Sequence, residues 1–261
     1  MRFCVQFLIC VFGFGCFSQN YNLEIEETTP LKADYFWGVD VYNQIYFSEN
    51  NVIYKSAKTQ NFEFQDLQLG ELSNVDILNP LKILLFYKES NTVVFLDNRL
   101  NEIERINFNS VSPFKNVEFV NLGKDNSIWL FNVDNQELEL YDYENQKIKN
   151  KSLPLNISIQ NQKCNYNFCW LQNENGLKKF NIYGSLTDEI EIEDLIRFDV
   201  FKSDLCMETE SEFHLLRAKQ SEIQNIKKPK INVEQFHFIG QNLYIYDGKT
   251  LHNYKITKVN D

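Results

Sequence analysis

From residue 30 onward the chain reads as short apolar runs, each closed by a cluster of Asn, Asp, Glu or Gly. A helical spacing of apolar positions is almost missing, whereas β-rich runs broken by turn residues predict an all-β fold. Five hairpins can be read directly: 45–47 with 52–54, 83–87 with 93–96, 128–131 with 138–141, 168–171 with 177–180, and 243–246 with 251–254. Counting a weaker run at Phe213, the first strands begin at Ile45, Ile83, Ile128, Phe168, Phe213 and Leu243, spaced by 38, 45, 40, 45 and 30 residues. A period of about 40 to 45 residues is the blade length of a β-propeller.

Each unit also carries a leading strand, as at 74–78, 117–121 and 233–239, and an outer strand, as at 62–69, 103–108 and 189–193. Four strands per unit and six units predict a propeller of six four-stranded blades. The polar stretch 219–230, with Lys227-Lys228-Pro229-Lys230, marks one blade as degenerate or as an exposed loop. The continuously apolar runs 83–86 and 128–131 are expected to be the innermost strands, because blades pack face to face and bury both sides. Residues 21–27 alternate apolar and polar, and are expected to complete the last blade as a clasp.

In period and strand pattern, the chain resembles the broad class of secreted bacterial β-propellers with six or seven blades. The repeats lack the Trp-Asp ending, the double glycine and the Gly- and Trp-rich signatures of named propeller families; their strands end instead in Leu96-Asp97 and Tyr141-Asp142. No family site carries over. Two other all-β architectures fit less of the pattern. An outer-membrane barrel needs alternating strands of about 9 to 11 residues, and a β-sandwich also uses short, evenly spaced strands.

The N-terminus changes the picture by setting a compartment. Met1-Arg2 precedes an apolar run over residues 3–17 that is too short to span a bilayer, and polar sequence begins at Ser18. Residues 1–18 are expected to be a signal peptide, leaving 19–261 as a single propeller domain. Lipidation of Cys16 is the competing reading. Alanine occurs only at Ala33, Ala57 and Ala218 while Asn, Ile, Lys and Phe abound, the bias of an AT-rich genome. The expected location is the periplasm or outer membrane of a Gram-negative bacterium. A formal net charge of -10 argues against nucleic acid and anionic membrane surfaces as partners.

Candidate chemistry is sparse. Removal of the signal leaves Cys164, Cys169 and Cys206, and the first two are spaced to close a disulfide across a hairpin in an oxidising compartment. A zinc site there lacks a neighbouring His, and free buried thiols are the plain alternative. His214, His237 and His252 stand alone in strands, and residues 187–194 lack the calcium-loop spacing. Neither a nucleophile elbow nor a phosphate loop is present. No metal, cofactor or catalytic residue is therefore expected. The expected function is a non-catalytic envelope propeller that binds protein, an accessory subunit of an outer-membrane assembly, lipopolysaccharide-transport or secretion complex. Tyr35, Trp37 and Tyr166 are the interaction candidates, since aromatics near polar turns are favoured at interface hot spots. The alternative is a carbohydrate-active or other hydrolytic propeller with a carboxylate site that leaves no spacing signature.

Overall fold

Runs of β-branched and aromatic residues between Asn-, Asp- and Gly-rich turns fold as hairpins wherever the next run can cover them. The computed structural model describes residues 21–57, 60–220 and 222–258. The expected signal peptide over 1–18 and the lipidation candidate Cys16 lie outside these residues. Strand β1 (Tyr21–Pro30) comes first. Four antiparallel meanders follow. The first holds β2 (Tyr35–Val39), β3 (Ile45–Glu49), β4 (Val52–Ser56) and β5 (Asn61–Phe64); the second β6 (Asn74–Asp76), β7 (Ile83–Tyr87), β8 (Thr92–Leu96) and β9 (Glu102–Asn107). The third holds β10 (Val117–Leu122), β11 (Ser127–Asn132), β12 (Glu137–Asp142) and β13 (Lys147–Lys151). The fourth holds β14 (Asn161–Cys164), β15 (Phe168–Asn173), β16 (Gly176–Asn181) and β17 (Leu186–Glu191). The remaining strands are β18 (Arg197–Phe201), β19 (Asp204–Glu208), β20 (Glu212–Leu216), β21 (Gln224–Lys227), β22 (Gln235–Ile239), β23 (Asn242–Tyr246) and β24 (Thr250–Lys258).

These strands make an all-β propeller, but not six separate blades. Four blades stand as independent four-stranded sheets, and the other eight strands form one sheet in the order β18-β19-β20-β21-β1-β24-β23-β22. The cause is β1, which hydrogen-bonds on both edges. It runs antiparallel to β24 from Tyr21 opposite Lys258 to Pro30 opposite Thr250, and its Tyr21 also bridges in parallel to Ile226 of β21. The eight-stranded sheet curls until its end strands, β18 and β22, pack against each other. The clasp expected at residues 21–27 is thus a real strand. The stretch 219–230, expected to be degenerate or an exposed loop, contributes the four-residue strand β21 between β20 and β1.

The structure corrects two further expectations. Phe213 lies in β20, the third strand of its unit; the second strand is β19, beginning at Asp204. Second strands then start at residues 45, 83, 127, 168, 204 and 242, spaced by 38, 44, 41, 36 and 38, so the irregular last interval disappears. The apolar runs at 83–86 and 128–131 are second strands, not innermost ones. From β2 through β22, β18, β14 and β10 to β6, the leading strands stand side by side around the axis. The continuously buried strands β7, β8, β11 and β12 lie one or two places outward, covered on both faces by neighbouring sheets.

Wedges of apolar side chains fill the spaces between neighbouring sheets. Leu84, Phe86 and Phe95 of the second sheet meet Val120, Ile128 and Leu130 of the third. Within the curled sheet, Cys206, Phe213 and Leu215 meet Phe238, Leu243 and Ile245. Burying each such side chain contributes about 1.5 to 3 kcal/mol. Deleting residues 19–30 leaves β24 paired with β23 alone and is expected to lower the melting midpoint by roughly 10 °C or more. An unchanged midpoint by circular dichroism would contradict the closing role of β1.

Candidate functional site

Each leading strand carries, at a similar place, one polar residue or glycine among mostly apolar neighbours: Gly38, Asp76, Asn121, Lys163, Asp199 and His237. They recur at intervals of 38, 45, 42, 36 and 38 residues. Because the leading strands surround one axis, these positions form a ring inside the central channel. Two cavities open from it. The wider one, of about 410 Å³, is rimmed by the loops that follow the leading strands, with Val41, Tyr166 and Phe201. The narrower one, of about 150 Å³, lies at the strands' starts, with Tyr35, Asn74, Gln162 and Gln235. Trp37, Lys163, Asp199 and His237 line both cavities and so define the waist.

Most of the ring is spent on joining neighbouring sheets. The buried carboxylate of Asp76 on β6 accepts the Leu122 N–H (2.9 Å) and Asn121 Nδ2 (3.1 Å) from the third sheet, besides Leu78 N–H (2.8 Å). Asn121 Oδ1 accepts from Gln162 Nε2 of β14 (3.1 Å). Asn165, in the loop after β14, donates through its side chain to the Lys202 carbonyl. Asp199 accepts the N–H of Phe238 on β22 (2.9 Å) and of its neighbour Val200 (2.9 Å). His237 closes the chain: Nδ1 lies 2.8 Å from Asp199 Oδ2, and Nε2 lies 2.9 Å from the Val39 carbonyl oxygen on β2. Both ring nitrogens face acceptors, so both contacts are hydrogen bonds only when both nitrogens carry protons.

Electrostatics separate the two acids. Burial alone would push the Asp199 carboxyl up, but the His237 ring, the Lys163 charge and the Phe238 N–H hold it below the usual carboxylate range. Burial wins at Asp76, whose carboxyl is pushed up despite its N–H donors. Gly38 makes room for the imidazole: at φ +146°, a Cβ placed there would sit 2.9 Å from His237 Nδ1.

Of the residues singled out from sequence, Trp37 falls at the waist, with its indole N–H donating to Ser48 Oγ (3.2 Å). Tyr166 is 39% exposed on the wider rim, while Tyr35 sits at the narrower cavity with its ring centroid 4.1 Å from that of Trp37. The three do not share one surface. Cys164 and Cys169 face each other across β14 and β15 with their sulfurs bonded, and Cys206 is free and buried. His214 contacts Asn225 and Thr209, and His252 contacts Asp247 within its own hairpin. His237 belongs instead to the waist. Reading one strand at a time misses it; aligning the six leading strands exposes the recurring polar position.

No family model and no curated protein matches the sequence. Solved structures do resemble the fold. The β-propeller domain of Cps50 (Swd1) from Myceliophteria thermophila aligns with 90% of this chain and 100% of its own, at 7% identity and a TM-score of 0.62. Virginiamycin B lyase from Staphylococcus aureus aligns over 92% of this chain and 96% of its own, at 12% identity and a TM-score of 0.57. The Neurospora crassa Pan2 WD40 domain covers 85% of this chain and 74% of its own, at 12% identity and a TM-score of 0.57. At such identities the likeness establishes the propeller fold alone.

Replacing Asp199 by Asn removes the charge facing His237 and is expected to cost about 3 kcal/mol at neutral pH. The sign follows from the depressed carboxyl: its contribution is complete above the unfolded value, near 3.9, and is lost as pH falls through the folded value. The stability gap between wild type and Asp199→Asn is therefore widest near neutrality and closes toward acid. Urea titrations at neutral and acidic pH measure it.

Proposed function

We propose that the chain is an exported, non-catalytic propeller of the cell envelope, whose wider mouth docks a protein partner. The eight-stranded sheet takes the place of two blades in this reading, making a disc of six. The observation that carries the proposal is the rim: Val41, Tyr42, Leu81 and Tyr166 are 61%, 65%, 62% and 39% exposed on loops that follow leading strands. Tyr42 and Leu81 also border a depression of about 390 Å³ between the first two sheets. Exposed apolar side chains gathered on polar loops mark interaction surfaces. The carboxylates of the wider cavity support a structural role, because Asp40, Asp76 and Asp199 each accept two backbone N–H groups.

An accessory subunit of an outer-membrane assembly, lipopolysaccharide-transport or secretion complex is the specific role proposed. Among the described residues no helix is long and apolar enough to cross a membrane. A hydrolytic propeller is the second reading, favoured by the opposite pKa displacements of Asp76 and Asp199 in one cavity.

Affinity purification of tagged protein from envelope extracts, with mass spectrometry, tests the docking role. Wild type is expected to bring down a membrane assembly, and Tyr42→Asp with Leu81→Asp to lose it at least tenfold while melting unchanged. A monomer that releases sugars from glycans, or a variant that retains the assembly, contradicts the reading. Intact mass tests export. A mature chain beginning at Gln19 is expected, whereas a diacylglyceryl mass on Cys16 identifies the lipidated form.

A further inference from the structure

We propose that the channel waist binds a neutral saccharide unit, entering through the narrower cavity and held by Lys163 and Gln162. Four of the polar ring residues are engaged in joints: Asp76, Asn121 and His237 make hydrogen bonds that join one sheet to the next, and Asp199 ties the two end strands of the curled sheet. Lys163 differs. It lines both cavities, and among the described residues no hydrogen bond or ion pair engages its ammonium. It lies near enough to Asp76 and Asp199 to stabilise both carboxylates through space, without contacting either.

A second, independent observation concerns Gln162, which is 3% exposed and lines the narrower cavity. Its orientation is dictated by a one-way relay. Both Asp76 oxygens already accept backbone N–H groups, so Asn121 turns its Nδ2 toward Asp76, its Oδ1 is left to accept, and Gln162 donates through Nε2. Gln162 Oε1 is then left without a partner, as is Oε1 of Gln235 in the same cavity. Leaving a buried amide oxygen unsatisfied is costly, and two such oxygens on residues that line the same cavity as an unengaged ammonium call for a group that both donates and accepts.

Hydroxyl groups do both. The waist sets Asp199 against two basic groups, Lys163 and His237, with the Asp76 carboxyl close by in the wider cavity, and this mixed field disfavours a strongly charged ligand of either sign. The Trp37 ring, backed by Tyr35, gives an apolar plane suited to the C–H face of a sugar. A cavity of about 150 Å³ admits a single small unit and no folded partner.

The three tryptophans make the test direct. Trp129 and Trp170 are each 1% exposed, so ligand-dependent emission reports Trp37. The exported chain would be titrated with glucose, galactose, mannose and N-acetylglucosamine, and separately with glycine and sodium acetate. A saturable emission change with at least one sugar is expected, absent with glycine and acetate. Lys163→Met and Gln162→Leu should each weaken it at least tenfold, with melting curves showing that both variants are folded. Trp37→Phe should abolish the signal while calorimetry still detects sugar binding. No sugar response up to about 10 mM, a range that covers Kd values near 1 mM, overturns the proposal. So does a response to glycine or acetate alone, or folded variants that bind as wild type does. The outcome is separate from protein docking, which is read on the opposite rim.

Discussion

Each of the four independent blades ends inward on a leading strand whose outer edge is paired and whose inner edge faces the axis, and no backbone ladder passes from one of these sheets to the next. Cohesion between sheets therefore rests on side chains. Apolar wedges supply most of it, being large, non-directional and insensitive to small rotations. They do not fix how far each sheet stands from the axis. That task falls to the polar ring, where Asp76, Asn121 and His237 each reach a group on the adjacent sheet at hydrogen-bonding distance, and Asp199 reaches the far end of its own curled sheet. Directional bonds in a buried setting are costly to break, so the ring holds the channel at one diameter.

This arrangement explains why a channel full of titratable residues need not be a reaction centre. A carboxylate already accepting two backbone N–H groups has little capacity left to relay protons, and displacing it would loosen a joint between sheets. The proposed sugar site uses what the joints leave over, the Lys163 ammonium and Gln162 Oε1. Likewise, the exposed apolar side chains at the wider mouth sit on turns outside the six ring positions.

Much of the architecture was legible because turns punctuate the chain so clearly. Hairpins such as β7 with β8 are uniformly apolar between polar tips, and β1 shows its alternation before any partner is known. The fifth unit was misplaced because its second strand, Asp204–Glu208, starts and ends on acids and looks weaker than the run at Phe213. Its buried Glu208 is tolerated only because Arg197 on β18 (2.9 Å) and Lys228, just past the end of β21 (2.6 Å), come to it. The merging of two strand groups into one sheet depends on a single bridge between Tyr21 and Ile226, which no local pattern encodes. The waist escaped notice for a related reason: one polar residue in one short strand carries no signal, and six superposed strands carry a clear one.

The position of β1 also bears on how the molecule is made. Its side chains contact residues more than 200 positions away, as in the bond from Thr257 to Glu24 across 233 residues. During synthesis this first strand emerges long before its mate exists, so ring closure must be among the last events, with a high contact order and a slow search. Until then β24 and the β1 segment are two complementary sticky edges. A crowded pool of unfinished chains could trade them, making strand-exchanged dimers the characteristic misassembly of this fold.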